Sequence, residues 1–175
     1  ARSYFFLLYQ FLRHKYDKIE VVFISHTVHA KRVTEDEFFK RISVGGTMMS
    51  SALEIEIEVI NKEYHPDSWN IYTFYAGDGE NWPDDNEKTI NLLNALKDNN
   101  QMVVYAEINE RRTHPEEEGT VLDWTNPSFV AWENENPDSI WTLCVPLVDN
   151  RFKRVLLTKA AQIWPVFKKI FGAKE

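Results

Sequence analysis

Hydrophobic and polar positions follow two alternating patterns along this chain of 175 residues. Short runs of β-branched and aromatic residues predict strands, whereas longer segments with apolar residues three and four positions apart predict helices. The predicted helices are 2–16, 35–41, 48–63, 86–98 and 159–172. The predicted strands are 18–27, 29–34, 70–78, 101–109 and 139–148. This alternation predicts an α/β fold, with an open, mainly parallel sheet and helices on both faces.

The segment 48–63 fits both patterns in part. Its centre, LEIEIEVI, alternates strictly and would suit a half-buried strand. Over its whole length, however, most apolar positions fall in one broad arc at 100° per residue, and glutamate favours helices over strands. We therefore predict a helix, which leaves Glu56 and Glu63 on the apolar side.

Two apolar segments are predicted to be strands of the sheet. Residues 18–27 have a continuous apolar centre and are predicted to be buried on both faces. Residues 139–148 are predicted to form the last strand, in which Cys144 would be an inert core residue.

Two helix starts have local signals. Thr34 and Glu37 have the spacing of a capping box, which predicts a helix beginning at residue 35. Pro165 is compatible with the last helix only near its first turn, because proline has no N–H to donate.

The chain is predicted to be a single domain, 1–175, with an irregular region at 110–138. That region is rich in charge and proline, so we expect a long loop or a small insertion. The sequence also opens abruptly in a helical pattern, which suggests that it is a piece of a longer protein.

Composition narrows the possible functions. A formal net charge of −7 argues against nucleic acid as the main partner. No apolar run reaches the ~18 residues that a membrane-spanning helix needs. The single cysteine excludes a disulfide within the chain, so a reducing, cytoplasmic location fits best.

Two polar residues are predicted to meet at the carboxyl ends of the strands, where open α/β sheets bind ligands. Thr47 follows two glycines at the start of helix 48–63, and Asp78 lies between glycines at the end of strand 70–78. A hydroxyl and a carboxylate are hard oxygen ligands that suit Mg²⁺, Mn²⁺ or Ca²⁺. The alternative is structural: Thr47 would cap the helix and Asp78 would stabilise a turn.

Several motifs together resemble one bacterial family. They are ARSYFF (1–6), VVFISH (21–26), TEDEFF (34–39), GGTMMSSAL (45–53), WNIYTFYAGDGENWPDDN (69–86) and IWPVFKKIF (163–171). Their order and spacing resemble the YhbH/YeaH family of uncharacterised proteins associated with sporulation and stress, which have a von Willebrand factor A-like domain. The resemblance spans nearly the whole chain and implies a Rossmann-like sheet of that type.

The resemblance also implies a metal site with Thr47 and Asp78 as ligands. His26 and Glu80 would lie just outside the coordination shell. The Asp-x-Ser-x-Ser motif of such domains is absent here, and Gly77 and Glu80 replace a common serine and aspartate. The central strand and the remaining ligands are therefore expected upstream of this chain, so Mg²⁺ or Mn²⁺ is expected in the full-length protein rather than in this piece.

These observations favour a metal-dependent protein-interaction module without catalytic residues. One alternative is a hydrolase-like enzyme that binds metal or phosphate and uses His26 with Asp78 or Glu80 as acid–base groups. Another is a scaffold without a ligand. A missing central strand would expose two strand edges, so the gap is expected to be closed by that strand or by another chain, as in a homo-oligomer.

Overall fold

A computed structural model describes residues 2–40, 47–109 and 127–171. The helices are α1 (Arg2–Lys15), α2 (Glu35–Lys40), α3 (Met49–Glu63), α4 (Asn86–Asn99), α5 (Pro127–Glu135), α6 (Ile140–Leu143) and α7 (Ile163–Phe171). The strands are β1 (Phe23–His26), β2 (Ala30–Val33), β3 (Tyr72–Gly77), β4 (Met102–Ile108) and β5 (Phe152–Leu157). Short 3₁₀ turns lie at Pro83–Asp85, Val145–Leu147 and Ala160–Gln162.

The main sheet is parallel, with strand order β3-β4-β5. Tyr105 of β4 is opposite Tyr75 of β3 and Arg154 of β5. Strands β1 and β2 form a separate antiparallel pair. The predicted α/β class and mainly parallel sheet are therefore confirmed for the described residues.

Helices cover both faces of this sheet, as predicted. Along β4, Val103 and Tyr105 face the core formed with α3, α4 and α6. Val104 and Ala106 face the opposite core, formed with α1 and α7. All four side chains are fully buried. Because successive side chains of a strand point to opposite faces, β4 contributes residues to both cores.

The segment beginning at Met49 is a helix, as predicted, and both of its awkward glutamates have partners. The carboxylate of Glu56 accepts a hydrogen bond from the hydroxyl of Thr73 in β3. The carboxylate of Glu63 lies 2.6 Å from the guanidinium of Arg32 in β2. These two contacts thus tie α3 to two strands, with Glu56 half-buried and Glu63 exposed.

The prediction of a last strand over 139–148 is wrong. Ser139 instead caps α6, and its hydroxyl accepts a hydrogen bond from the amide of Thr142 at 3.2 Å. Cys144 is buried, as predicted, but lies at the end of this helix. The third parallel strand is β5, which lies further along the chain.

The predicted strand 18–27 is shorter and less buried than expected. Only Phe23–His26 is a strand, its four residues are all half-buried, and its paired neighbour is β2. It is not hydrogen-bonded to the parallel sheet in the described part of the chain.

The irregular region is only partly as predicted. Residues 110–126 lie outside the described residues, but 127–135 form a helix and not a loop. The predicted capping box is present: the amide of Glu37 donates to the hydroxyl of Thr34 at 3.2 Å, and the amide of Thr34 donates to Glu37 at 3.0 Å. Pro165 is the third residue of α7 and therefore lies in its first turn.

Candidate functional site

Four loops meet at the carboxyl end of β3: those after β1, before α3, after β3 and after β4. The amide of Met48 donates to the carbonyl of Thr27, just after β1, at 3.0 Å. The amide of Trp82 donates to the carbonyl of Thr47 at 3.3 Å. The side chain of Asn109, beyond β4, donates to the carbonyl of Asp78 at 3.2 Å. Thr47 and Asp78 are therefore brought to the same end of the sheet; the glycines before Thr47 lie outside the described residues.

Thr47 does not cap α3. Met48 occupies the N-cap position and makes no capping bond with its side chain. The first helical amides donate to residues distant in sequence: Met49 to Asn81 at 2.9 Å and Ser50 to Asp85 at 3.0 Å. The capping role considered for Thr47 is therefore wrong. Because these two amides are engaged, the helix start is also less suited to hold a phosphate.

The Asp78 carboxylate is exposed and lies in a tight turn. It accepts a hydrogen bond from the amide of Glu80 at 3.2 Å. Gly79, between them, has a φ of 91°. A Cβ on Gly79 would lie 2.6 Å from the carboxyl carbon of Glu107, at the end of β4. Only glycine fits this position without displacing Glu107, so the turn that holds Asp78 depends on Gly79.

His26 lies beside this turn. Its ring packs on that of Tyr75, with centroids 5.2 Å apart. Burial lowers the pKa of His26, while the negative charge of Asp78 raises it, and burial has the larger effect. His26 therefore lies at the same end of the sheet as Asp78, and its place just outside a coordination shell stays a prediction. Glu80 is exposed in the same turn as Asp78.

Sequence reasoning missed Asp85. Its side chain is only 4% exposed, and its carboxylate accepts hydrogen bonds from the amide of Ser50 and the hydroxyl of Thr89, each at 3.0 Å. Burial would raise its pKa, but these hydrogen bonds lower it below the ordinary value. The signal was the run Asp-Asp-Asn at the start of a predicted helix, where an aspartate often serves as a cap.

Near these loops, some buried side-chain oxygens have no hydrogen-bond partner. Asp85 Oδ1 and Ser50 Oγ have no hydrogen-bond partner among the described residues. Yet no group of three or more His, Cys, Asp or Glu side chains in this part of the chain converges as metal ligands would. The described residues therefore supply two candidate oxygen ligands, Thr47 and Asp78, and not a complete coordination shell.

The amino-acid sequence shows which family of proteins this chain belongs to. The profile of a family described as "Protein of unknown function (DUF444)" matches residues 1–174. The chain therefore belongs to this family.

The curated relatives that the chain resembles are named UPF0229 protein. UPF0229 protein BH1031 of Halalkalibacterium halodurans is 33% identical over the whole chain, which covers 39% of that protein. A UPF0229 protein of Ectopseudomonas mendocina is 38% identical over 98% of the chain and 36% of its own length. One from Ruminiclostridium cellulolyticum is 50% identical over 62% of the chain and 27% of its length.

The chain thus spans roughly a third of the length of these relatives. No solved structure matches it. None of the helices in the described ranges is long and apolar enough to cross a membrane. The sporulation link and the von Willebrand A-like type stay predictions, whereas the family and the mixed α/β fold are established.

Proposed function

We propose that this domain is a protein-interaction module whose partner binds through a divalent cation at the carboxyl end of the sheet. The observation that supports the proposal is that the amide of Trp82, in the loop that begins at Asp78, donates to the carbonyl of Thr47, so that both residues lie at the carboxyl end of β3. Their hydroxyl and carboxylate oxygens suit Mg²⁺ or Mn²⁺.

The number of ligands defines what else the site needs. Magnesium prefers six oxygen ligands in octahedral geometry. Thr47 and Asp78 would provide two, and the rest would come from water, a carboxylate of the partner protein, or other parts of the longer protein. The unpaired Asp85 Oδ1 and Ser50 Oγ could orient a bound water. The cytoplasm, where free Mg²⁺ is abundant, is the location proposed with this function.

Binding of Mn²⁺, followed by electron paramagnetic resonance, tests this proposal. In the full-length protein we expect Asp78→Asn to weaken Mn²⁺ binding at least tenfold and Thr47→Val to weaken it less. Asp67→Asn is the matched control, because Asp67 is an exposed carboxylate in a turn before β3. Absence of Mn²⁺ binding by the full-length protein would overturn the metal-dependent function.

The enzyme alternative has one favourable observation: the ring of His26 packs on that of Tyr75, three residues before Asp78 in the chain. Turnover in a screen of esters and phosphoesters, lost in Asp78→Ala, would establish it in place of the interaction module. A protein that neither binds cations nor turns over substrate would match the scaffold alternative.

A further inference from the structure

Helices α1 and α7, which pack together on one face of the sheet, carry charge of one sign. Together they have five lysines and arginines and no aspartate or glutamate, although the formal net charge of the chain is −7. Three of these cations, Arg13, Lys15 and Lys168, have no carboxylate partner among the described residues. By contrast, Lys62 and Lys88, on α3 and α4, each pair with a glutamate. The positive charge of the two helices is therefore not neutralised within the described part of the chain.

Two of these cations lie beside a pair of aromatic rings. The rings of Trp164 in α7 and Phe11 in α1 meet edge to face, with centroids 5.9 Å apart. Lys168 Nζ lies 5.9 Å from the centroid of the Trp164 ring, and Lys15 Nζ lies 5.6 Å from that of the Phe11 ring. Lys15 Nζ also donates to the carbonyl of Phe171 at 2.5 Å. Attraction between an ammonium group and an aromatic ring thus keeps one positive charge beside each ring of the pair.

Large apolar side chains at the same place remain open to solvent. Trp164 is 48% exposed and Leu7 is 39% exposed. Leu7 precedes Phe11 by one helical turn, so both side chains lie on the same side of α1. We call Leu7, Phe11, Trp164, Lys15 and Lys168 the basic–aromatic surface. An exposed tryptophan whose ring is fixed by its neighbours, with charge around it, is the composition of a protein-binding site.

We propose that the basic–aromatic surface binds an acidic segment of a partner protein. Two carboxylates of that segment would pair with Lys15 and Lys168, and an apolar side chain between them would pack on Leu7 and Trp164. Charge complementarity identifies this occupant, because the two ammonium groups have no carboxylate partner of their own in the described chain.

An anionic membrane fits the same surface less well. Attachment to lipid needs a broad face of apolar side chains that reach about 5–10 Å into the bilayer. Here the exposed apolar side chains are few, and the ammonium group of Lys15 is held against the carbonyl of Phe171 and does not extend outwards. The inference does not depend on the proposed cation site.

Fluorescence anisotropy with a labelled random copolymer of glutamate and tyrosine tests the proposal. The full-length protein is measured in EDTA, so that carboxylates of the probe cannot bind through a divalent cation at the other site. We expect Lys168→Glu to weaken binding at least tenfold and Trp164→Ala to weaken it about fivefold. The matched controls are Lys31→Glu, an exposed lysine on β2, and Trp69→Ala, a tryptophan that is 41% exposed before β3. Each control should change the dissociation constant less than about twofold. Failure of the copolymer to bind, or equal weakening by Lys168→Glu and Lys31→Glu, would overturn the proposal.

Two further arms separate this occupant from the others. Sedimentation with vesicles of phosphatidylserine and phosphatidylcholine that is lost in Lys168→Glu, without binding of the copolymer, would show a membrane-docking surface and overturn the proposal. A dimer in analytical ultracentrifugation that dissociates in Lys168→Glu would show that a second copy occupies the surface, and would overturn it too. If Lys168→Glu does not fold, Lys15→Gln removes one charge but keeps a donor for Phe171, and is expected to weaken copolymer binding about fivefold. Unchanged binding by a folded Lys15→Gln protein would then count against the proposal.

Discussion

Glu56 shows how one residue can look misplaced in a sequence and still fit the fold. It projects from α3 towards β3, where it lines a cavity between these two elements, keeps partial exposure and accepts a hydrogen bond from Thr73. Burial raises its pKa from 4.5 to about 7, and the hydrogen bond from Thr73 opposes this increase only in part. The folded protein therefore keeps a proton on Glu56 at a pH where the unfolded chain has lost it.

This proton makes stability depend on pH. Because the folded pKa is the higher one, the free energy of unfolding should decrease as pH rises from about 4.5 to about 7, and then level off. The full shift corresponds to roughly 3 kcal/mol, which partial exposure reduces to about 1–2 kcal/mol. Urea unfolding should show Glu56→Gln more stable than the wild type by that amount at pH 8 and similar at pH 4.5. Glu54→Gln, on the exposed side of α3, should leave the pH dependence unchanged; a Glu56→Gln profile parallel to the wild type would contradict the prediction.

Gly79 is the second residue whose surroundings allow a sharp prediction. Its positive φ and the nearby Glu107 carboxyl group both oppose a side chain. We expect Gly79→Ala to lower the free energy of unfolding by about 2–3 kcal/mol. Gly77→Ala is the control, because its Cβ would meet only the ring of Tyr75, at 3.2 Å, and it should cost less than about 1 kcal/mol. Equal losses in the two variants would show that the turn at Gly79 adapts.

At the scale of elements, the start of α3 depends on a carboxylate 35 residues away. Asp85 accepts hydrogen bonds from Ser50 and Thr89 and so joins α3 to α4. Asp85→Asn removes the charge from a buried acceptor, and we expect a loss of about 2 kcal/mol in chemical unfolding at pH 7. Since the pKa of Asp85 is lowered in the folded state, this difference should shrink as pH falls below about 4. Asp84→Asn, at the adjacent exposed position, should change stability by less than about 0.5 kcal/mol.

The elements that sequence reasoning predicted correctly are those whose signals are local. The arc of apolar residues in α3, the capping box of α2 and the apolar run of β4 are all contained in neighbouring residues. Strand β5 was missed because Lys153 and Arg154 interrupt its apolar pattern. Arg154 is buried only because its partners come from elsewhere in the chain, and no local pattern shows that.

The candidate site, too, could be predicted from the sequence only where the signal was local or followed from the strand order. The rule that ligands bind at the carboxyl ends of parallel strands predicted that Thr47 and Asp78 lie at the same end of the sheet; their role as ligands stays a prediction. It could not show that Asn81 and Asp85 engage the first amides of α3, because those hydrogen bonds span 32 and 35 residues. Long-range polar contacts of this kind leave no periodic signal in the sequence.

At the scale of the whole molecule, a buried ion pair links α5, α6 and β5. The guanidinium of Arg154 lies 2.8 Å from the carboxylate of Glu133 and donates to the carbonyl of Trp141 at 2.6 Å. It also lies over the Trp141 ring, 4.5 Å from the centroid, and the indole N–H of that residue donates to Glu133 at 3.0 Å. The segment between β4 and β5 is therefore held to the sheet by a network around one charge.

Removal of Glu133 tests how much the fold depends on this network. Glu133→Ala would leave the Arg154 charge buried with only neutral partners among those contacts, because the arginine side chain is 3% exposed. We expect a loss of about 3 kcal/mol in the free energy of unfolding, measured by guanidinium or thermal unfolding. Glu135→Ala is the matched control, since Glu135 is exposed on the same helix, and it should cost less than about 0.5 kcal/mol. The double variant Glu133→Ala, Arg154→Met should recover much of the loss, because an apolar side chain needs no counter-charge. A Glu133→Ala protein as stable as the control would mean that water reaches Arg154 and that α5 contributes little to holding β5 in the sheet.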